Sequence, residues 1–124
     1  MLGINIFSSI SAIIYFLLGL AFLINPSGMA NSVGFKNLSS EAVIDIRATY
    51  GGFLLSIGCL LSYWTYIGEL KVSLTFISVS FLGFFLGRLI GLILATAEYG
   101  DHLYWALFEL LYFLLSIYFY NKIK

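Results

Sequence analysis

Four long apolar stretches with almost no charged residues are the feature that most constrains the fold of this chain. A helix that crosses a hydrocarbon core of about 30 Å needs about 20 predominantly apolar residues, and each stretch supplies them. The sequence therefore predicts an all-α integral membrane protein, folded as an antiparallel four-helix bundle in a single domain over residues 1–124. The predicted spans lie at about residues 6–24, 43–67, 72–97 and 103–121.

Composition excludes the soluble and disordered classes. Hydrophobic residues make up 61% of the chain and charged residues only 10%, whereas about a quarter of the residues in a soluble domain are charged. Too few charged side chains are present to cover a soluble surface, and disordered chains are poor in apolar residues. Six basic and six acidic side chains cancel, so no net charge favours nucleic acid, and no nucleic acid is expected as a partner.

The connections between the spans predict the topology. Residues 25–42 form the one long connection, in which a short irregular or partly helical segment is expected at Pro26–Leu38. The turns at residues 68–71 and 98–101 are short, so the helices that they join are expected to be antiparallel neighbours.

The lysines predict which side of the membrane holds the termini. Four spans place both termini and the second connection on one side, which carries Lys71, Lys122 and Lys124. The other side offers Lys36 and Arg47. Because cytoplasmic loops carry an excess of Lys and Arg, both termini are predicted to be cytoplasmic. The first segment has no Lys or Arg ahead of its long apolar run, which favours a span over a cleaved signal peptide.

Small residues predict where the helices approach each other most closely. Lipid tails are as apolar as leucine, so tight contacts between spans depend on small side chains. In span three, glycine recurs every four positions at Gly83, Gly87 and Gly91, and span two carries Gly51 and Gly58. Two interpretations stay open for the stripe in span three: packing within the chain, or self-association into a homo-oligomer.

Charged side chains on three different helices lie inside the predicted spans: Arg47 in span two, Arg88 in span three and Glu109 in span four. At a rise of 1.5 Å per residue, they lie about 6, 13 and 9 Å from the non-cytoplasmic span ends. Ionisable groups within a membrane usually face the protein interior, a cavity or each other. The spacing therefore predicts that the three charges converge in the outer half of the membrane.

Aromatic side chains share the helix faces of these charges, so the sequence predicts an outward-opening pocket with an aromatic wall. Its candidate ligand-binding residues are Arg47, Tyr50, Arg88, Trp105, Glu109 and Tyr112. Two interpretations stay open. In the first, Glu109 pairs with one arginine and the pair only holds the helices together. In the second, the remaining arginine binds a carboxylate or phosphate, whose geometry matches its planar fork.

The sequence offers little for catalysis. His102 is the only histidine and Cys59 the only cysteine. His102 beside Asp101 and Glu98 is interpreted as part of a solvated turn rather than as a metal ligand. No phosphate-binding loop, nucleophile elbow or zinc-protease motif occurs. No catalytic residue, metal or cofactor is predicted, and a non-catalytic role is favoured over an enzyme.

Two motifs and one acid resemble a known family. Residues 45–52 read D-I-R-A-T-Y-G-G, residues 87–91 read G-R-L-I-G, and Glu109 lies in the last span. Together they resemble a family of small bacterial four-span proteins of unknown function with R-A-x-Y-G-G and G-R-x-x-G motifs, distantly similar to the DoxX-like membrane proteins. The resemblance covers nearly the whole chain. It implies a four-helix bundle in the bacterial inner (cytoplasmic) membrane and no established reaction.

These features lead to one main hypothesis and two alternatives. The main hypothesis is a small, non-catalytic, multi-pass membrane protein whose outer-half pocket binds an amphipathic anion or a membrane lipid. One alternative is an accessory subunit that needs a membrane partner protein. The other is a small anion or proton-coupled transporter in which Glu109 titrates.

Overall fold

The computed structural model of the chain describes residues 1–95 and 100–123. All of the regular secondary structure in those two ranges is helical. The helices are α1 (Leu2–Ile24), α2 (Pro26–Ser32), α3 (Ser40–Ile46), a π-helical segment (Arg47–Gly52), α4 (Phe53–Tyr66), α5 (Leu70–Leu94) and α6 (His102–Tyr120).

Four helical stretches are long and apolar enough to cross a membrane. They are α1, the continuous helix Ser40–Tyr66 formed by α3, the π segment and α4, then α5 and α6. This confirms the predicted all-α, four-span fold class and indicates a multi-pass membrane protein. Residues 96–99, where the predicted third span ends and the last turn begins, lie outside the described residues, as does Lys124. The single domain stays a prediction, because the chain divides into two compact units.

The first unit, residues 2–68, pairs α1 with α4 in antiparallel orientation. The hydroxyl oxygens of Ser8 and Thr65 form a hydrogen bond of 2.6 Å at one end of the pair. Toward the other end, a Cβ added at Gly19 would lie 2.7 Å from the Leu55 Cα, nearer than real Cβ atoms come to other atoms. Glycine therefore allows the two backbones to touch, as expected for helices packed in lipid.

The long connection folds back onto this pair instead of extending into solvent. Pro26 occupies the first turn of α2, where its missing N–H leaves no hydrogen bond unmade. Ser39 caps α3 by accepting a hydrogen bond of 3.1 Å from the Ala42 amide. A small buried cluster holds the connection in place through Phe22, Ala30 and Ile46, with Met29 and Leu38 packed against them.

The second unit comprises Met1 and residues 69–124, and in it α5 runs antiparallel to α6. The buried hydroxyls of Ser78 and Ser116 are 2.6 Å apart, and the rings of Phe81 and Tyr112 stack with centroids 4.2 Å apart. The glycine stripe of α5 takes no part in this contact. No described atom of the unit lies within 4 Å of a Cβ placed at Gly83, Gly87 or Gly91.

Candidate anion-binding site

The register of α5 against α6 determines which side chains meet Arg88. Ser78 lies opposite Ser116, and ten residues further toward the end of α5 the same register brings Arg88 opposite the buried Ala106. Alanine leaves room for a long side chain at this level. The Arg88 side chain therefore lies between His102 and Glu109, each about one helical turn from Ala106.

Arg88 and Glu109 form a bidentate ion pair. The Arg88 Nε donates to both carboxylate oxygens, at 3.1 and 3.0 Å, and Nη2 donates to Oε1 at 2.7 Å. The Glu109 side chain is 7% exposed, whereas the Arg88 side chain is 27% exposed. Fork-to-fork pairing of this kind is among the stronger arrangements of charge-assisted hydrogen bonds. Of the two arginines that the sequence left open, Arg88 is therefore the partner of Glu109.

His102 is the member of this cluster that the sequence interpretation missed. Its Nδ1 lies 2.8 Å from the Arg88 Nη1. The sequence could have indicated that His102 belongs to this cluster, because His102 and Glu109 are seven residues apart and share a helix face. His102 was expected in a solvated turn, whereas the long side chain of Arg88 reaches it from α5. We call Arg88, Glu109 and His102 the polar cluster.

Aromatic rings continue this face of the unit toward the middle of α6. Trp105 packs edge-on against Phe108 with ring centroids 6.1 Å apart, and Phe108 contacts Tyr112 at 5.4 Å. Tyr112 is buried, while Trp105 is 53% exposed. Trp105 and Tyr112, both predicted site residues, therefore lie on the same helix as two members of the polar cluster.

Arg47 and Tyr50 lie in the first unit, on the π-helical segment Arg47–Gly52. Single π-helical turns inside α-helices are rare and occur frequently at functional sites. The Tyr50 ring stacks on Phe22 at a centroid distance of 5.3 Å and meets Phe35 edge-on at 6.4 Å. Tyr50 is thus held by the end of α1 and by the long connection.

Arg47 differs from Arg88 in having no anionic partner among the residues of its own unit, which the structure describes. It is exposed, and within residues 2–68, all of which the structure describes, its guanidinium has no ion pair or hydrogen bond. Asp45, two residues earlier, is exposed as well. An arginine thus lies seven residues into a candidate membrane span, and none of its five donors is bonded to a residue in the range 2–68.

Comparison with known proteins now places the chain in a family. Residues 4–120 match a family described as a domain of unknown function, DUF4345. The chain is a member of the DUF4345 family. Searches of curated proteins and of solved structures found no match. The match agrees with the predicted membership of a family of unknown function. Because the family description names no reaction, the role of this DUF4345 protein has to be inferred from its own side chains.

The structure thus brings together four of the six predicted ligand-binding residues of this DUF4345 protein on one helical pair: Arg88, Trp105, Glu109 and Tyr112. Arg47 and Tyr50 belong to the other unit. Within the described ranges, no group of three His, Cys, Asp or Glu side chains is placed to hold a metal ion.

Proposed function

We propose that this protein is a non-catalytic protein of the bacterial inner membrane that binds an amphipathic anion, such as a lipid with an anionic headgroup. The observation that carries the proposal is Arg47, an exposed arginine in a candidate span with no anionic partner within its own unit. The distant similarity of this family to the DoxX-like membrane proteins is also part of what we propose.

The physical argument starts from the cost of an uncompensated charge. A guanidinium inside a span is expensive unless it meets an opposite charge, water or a headgroup. Its planar fork matches carboxylate and phosphate groups, which it binds through two parallel hydrogen bonds. An anionic headgroup is therefore the partner that stabilises Arg47 most.

The surroundings of Arg47 favour a ligand with an apolar body. Tyr50, three residues along the same segment, offers a partly exposed ring supported by Phe22 and Phe35. Aromatic rings with one polar group suit the headgroup level of a bilayer, where an amphipathic ligand has its charged end. The proposal assigns charge recognition to Arg47 and contact with the apolar part to Tyr50.

The remaining predicted residues form a second, weaker binding surface in this proposal. Arg88 and Glu109 neutralise each other, so an added anion gains less from Arg88 than from an unpaired arginine. Trp105 and Tyr112 provide the apolar contact there.

Lipid retention in native mass spectrometry tests the main proposal. The full chain is extracted in mild detergent and mixed with equal amounts of phosphatidylglycerol and zwitterionic phosphatidylethanolamine. We expect preferential retention of phosphatidylglycerol. In Arg47→Gln the retained fraction should fall about tenfold or more, because a hydrogen bond to a charged group contributes about 1.5–3 kcal/mol.

Lys36→Gln is the matched control, since it removes a cation from the long connection outside the spans. This variant should keep its preference for phosphatidylglycerol. Equal retention of the anionic lipid by wild type and Arg47→Gln would refute the proposal.

The proposed orientation, with both termini in the cytoplasm, follows from the excess of lysine at Lys71, Lys122 and Lys124. Single cysteines introduced by Lys36→Cys or Lys122→Cys, each in a Cys59→Ser background, test it. A membrane-impermeant maleimide should label the Lys36 position in intact cells and the Lys122 position only after permeabilisation. Labelling of both from the same side would contradict the four-span topology.

The two alternative functions stay predictions. An accessory subunit should co-purify with a membrane partner, whereas a lipid-binding protein should be monodisperse by itself. A transporter should give pH-dependent anion flux in proteoliposomes that Glu109→Gln alters.

A further inference from the structure

The polar cluster contains a constraint on the protonation state of His102. Arginine has five N–H donors and no acceptor. At 2.8 Å from the Arg88 Nη1, the His102 Nδ1 must therefore supply a lone pair. The ring in this arrangement is neutral, with its proton on Nε2, and the net charge of the cluster is zero because Arg88 and Glu109 cancel.

Adding a proton to His102 changes this contact from attraction to repulsion. Both nitrogens would then carry an N–H directed at the other, and the net charge of the cluster would become one positive. Glu109 offers little compensation, because both of its oxygens already accept from Arg88 and its side chain is buried. An anion that accepts from both nitrogens removes the repulsion and balances the charge.

The His102 ring can take up a proton while the ion pair of Arg88 and the buried Glu109 stays intact. His102 is the first residue of α6 and is exposed, whereas Glu109 lies two turns deeper. Histidine is the side chain whose charge ordinarily changes between about pH 5 and pH 8. The polar cluster thus has an exposed titratable group at the rim and a fixed ion pair below it.

Among the described residues of the second unit, few charged side chains lie near His102. On α5, the helix packed against α6, the charged side chains are Arg88 and, at the opposite end, Lys71. Asp101 precedes His102 directly and is exposed, and Glu98 lies outside the described residues. Asp101 is therefore the described neighbour whose effect on the pH response must be distinguished from that of His102.

The geometry points to an acid-switched anion site formed by Arg88 and His102. When His102 takes up a proton, its Nδ1–H and the Arg88 Nη1 together bind the carboxylate, phosphate or sulfonate group of an amphipathic anion. When the proton leaves, the two side chains bond to each other again and release the anion. The exposed ring of Trp105, one turn along the same face, contacts the apolar part of the ligand. The site extends the proposed function to a second set of residues and does not depend on binding at Arg47.

Binding of naphthalene-2-sulfonate to the full chain in mild detergent tests this inference, because the sulfonate keeps its charge across the pH range. Equilibrium dialysis is performed at about pH 8 and about pH 5. We expect wild type to bind about tenfold more tightly at the lower pH, as one added unit charge close to the anion predicts. His102→Gln, which keeps an acceptor but does not titrate there, should show at both pH values the affinity that wild type shows at the higher pH.

Three further variants make the outcome decisive. His102→Lys carries a permanent charge and should bind tightly at both pH values. Asp101→Asn should keep the pH response of wild type, which separates this site from the neighbouring acid. Arg47→Ala should weaken binding equally at both pH values and leave the difference between them, which separates this site from the proposed function. Size-exclusion profiles check that each variant is folded. A pH response that survives in His102→Gln, or its absence in wild type, would overturn the inference.

Discussion

Glu109→Ala is expected to destabilise the protein more than any other single substitution of a charged residue. Glu109 is the only acid in α5 or α6, and its buried carboxylate accepts three hydrogen bonds from Arg88. Truncation leaves the Arg88 guanidinium without an anionic partner between two apolar helices. Removing one member of a buried ion pair typically costs about 3–5 kcal/mol. Thermal unfolding in mild detergent, followed by circular dichroism, measures the loss.

A double variant separates the cost of a stranded charge from the value of the pair itself. Arg88→Met with Glu109→Leu removes both charges and retains apolar volume, so it should recover part of the stability lost in Glu109→Ala. Glu69→Ala is the control, because Glu69 is an exposed acid of the same unit. If the double variant unfolds at the same temperature as Glu109→Ala, the loss does not come from a stranded charge. If Glu109→Ala unfolds like wild type, the pair does not hold α5 to α6.

The four-span fold could be predicted because the length of an apolar run depends on local sequence alone. A membrane requires about 20 apolar residues per helix, whatever the contacts within the protein. The partner of Glu109 could not be chosen in the same way. It depends on the register of two helices, which the Ser78–Ser116 and Phe81–Tyr112 contacts define and which single-helix spacing does not contain.

The π-helical segment accounts for a further difference between sequence and structure. At regular α-helical spacing, Arg47 is expected to share a face with Gly51 and Gly58. In the structure both glycines are buried, whereas Arg47 is exposed. A π-turn has i→i+5 hydrogen bonds and so breaks the period of 3.6 residues on which such projections depend.

Glycine spacing was informative in one unit and not in the other. Gly58 of α4 and Gly51 of the π-helical segment allow the close approach to α1 that small residues in a span predict. The more regular stripe at Gly83, Gly87 and Gly91 lies away from the α5–α6 contact, where Ser78 and Phe81 are buried instead. A repeat of small residues shows that another helix can approach the backbone closely at that face. Which helix does so depends on the sequence of the opposing helix.

Gly19→Ala is expected to have the largest effect in the first unit. A Cβ at this position would lie 2.7 Å from the Leu55 Cα and 2.9 Å from the Gly51 carbonyl oxygen. Both atoms are backbone, so no side-chain rotation relieves the clash and the two helices must separate. Inserting one methyl group into a tightly packed core typically costs about 1–3 kcal/mol, and we expect a loss at the upper end of that range.

Gly52→Ala provides the matched control in the same unit. No described atom outside its own helix backbone lies within 4 Å of a Cβ placed there, and the backbone of Gly52 is already right-handed helical, at φ −61° and ψ −46°. Alanine is favoured over glycine in such a conformation by about 1 kcal/mol, so this variant should unfold at or above the wild-type temperature. Gly58→Ala should resemble Gly19→Ala, because its Cβ would meet the Phe16 backbone. If Gly19→Ala and Gly52→Ala unfold at the same temperature, then α1 and α4 do not pack against each other through their glycines, and the pairing in this unit is incorrect.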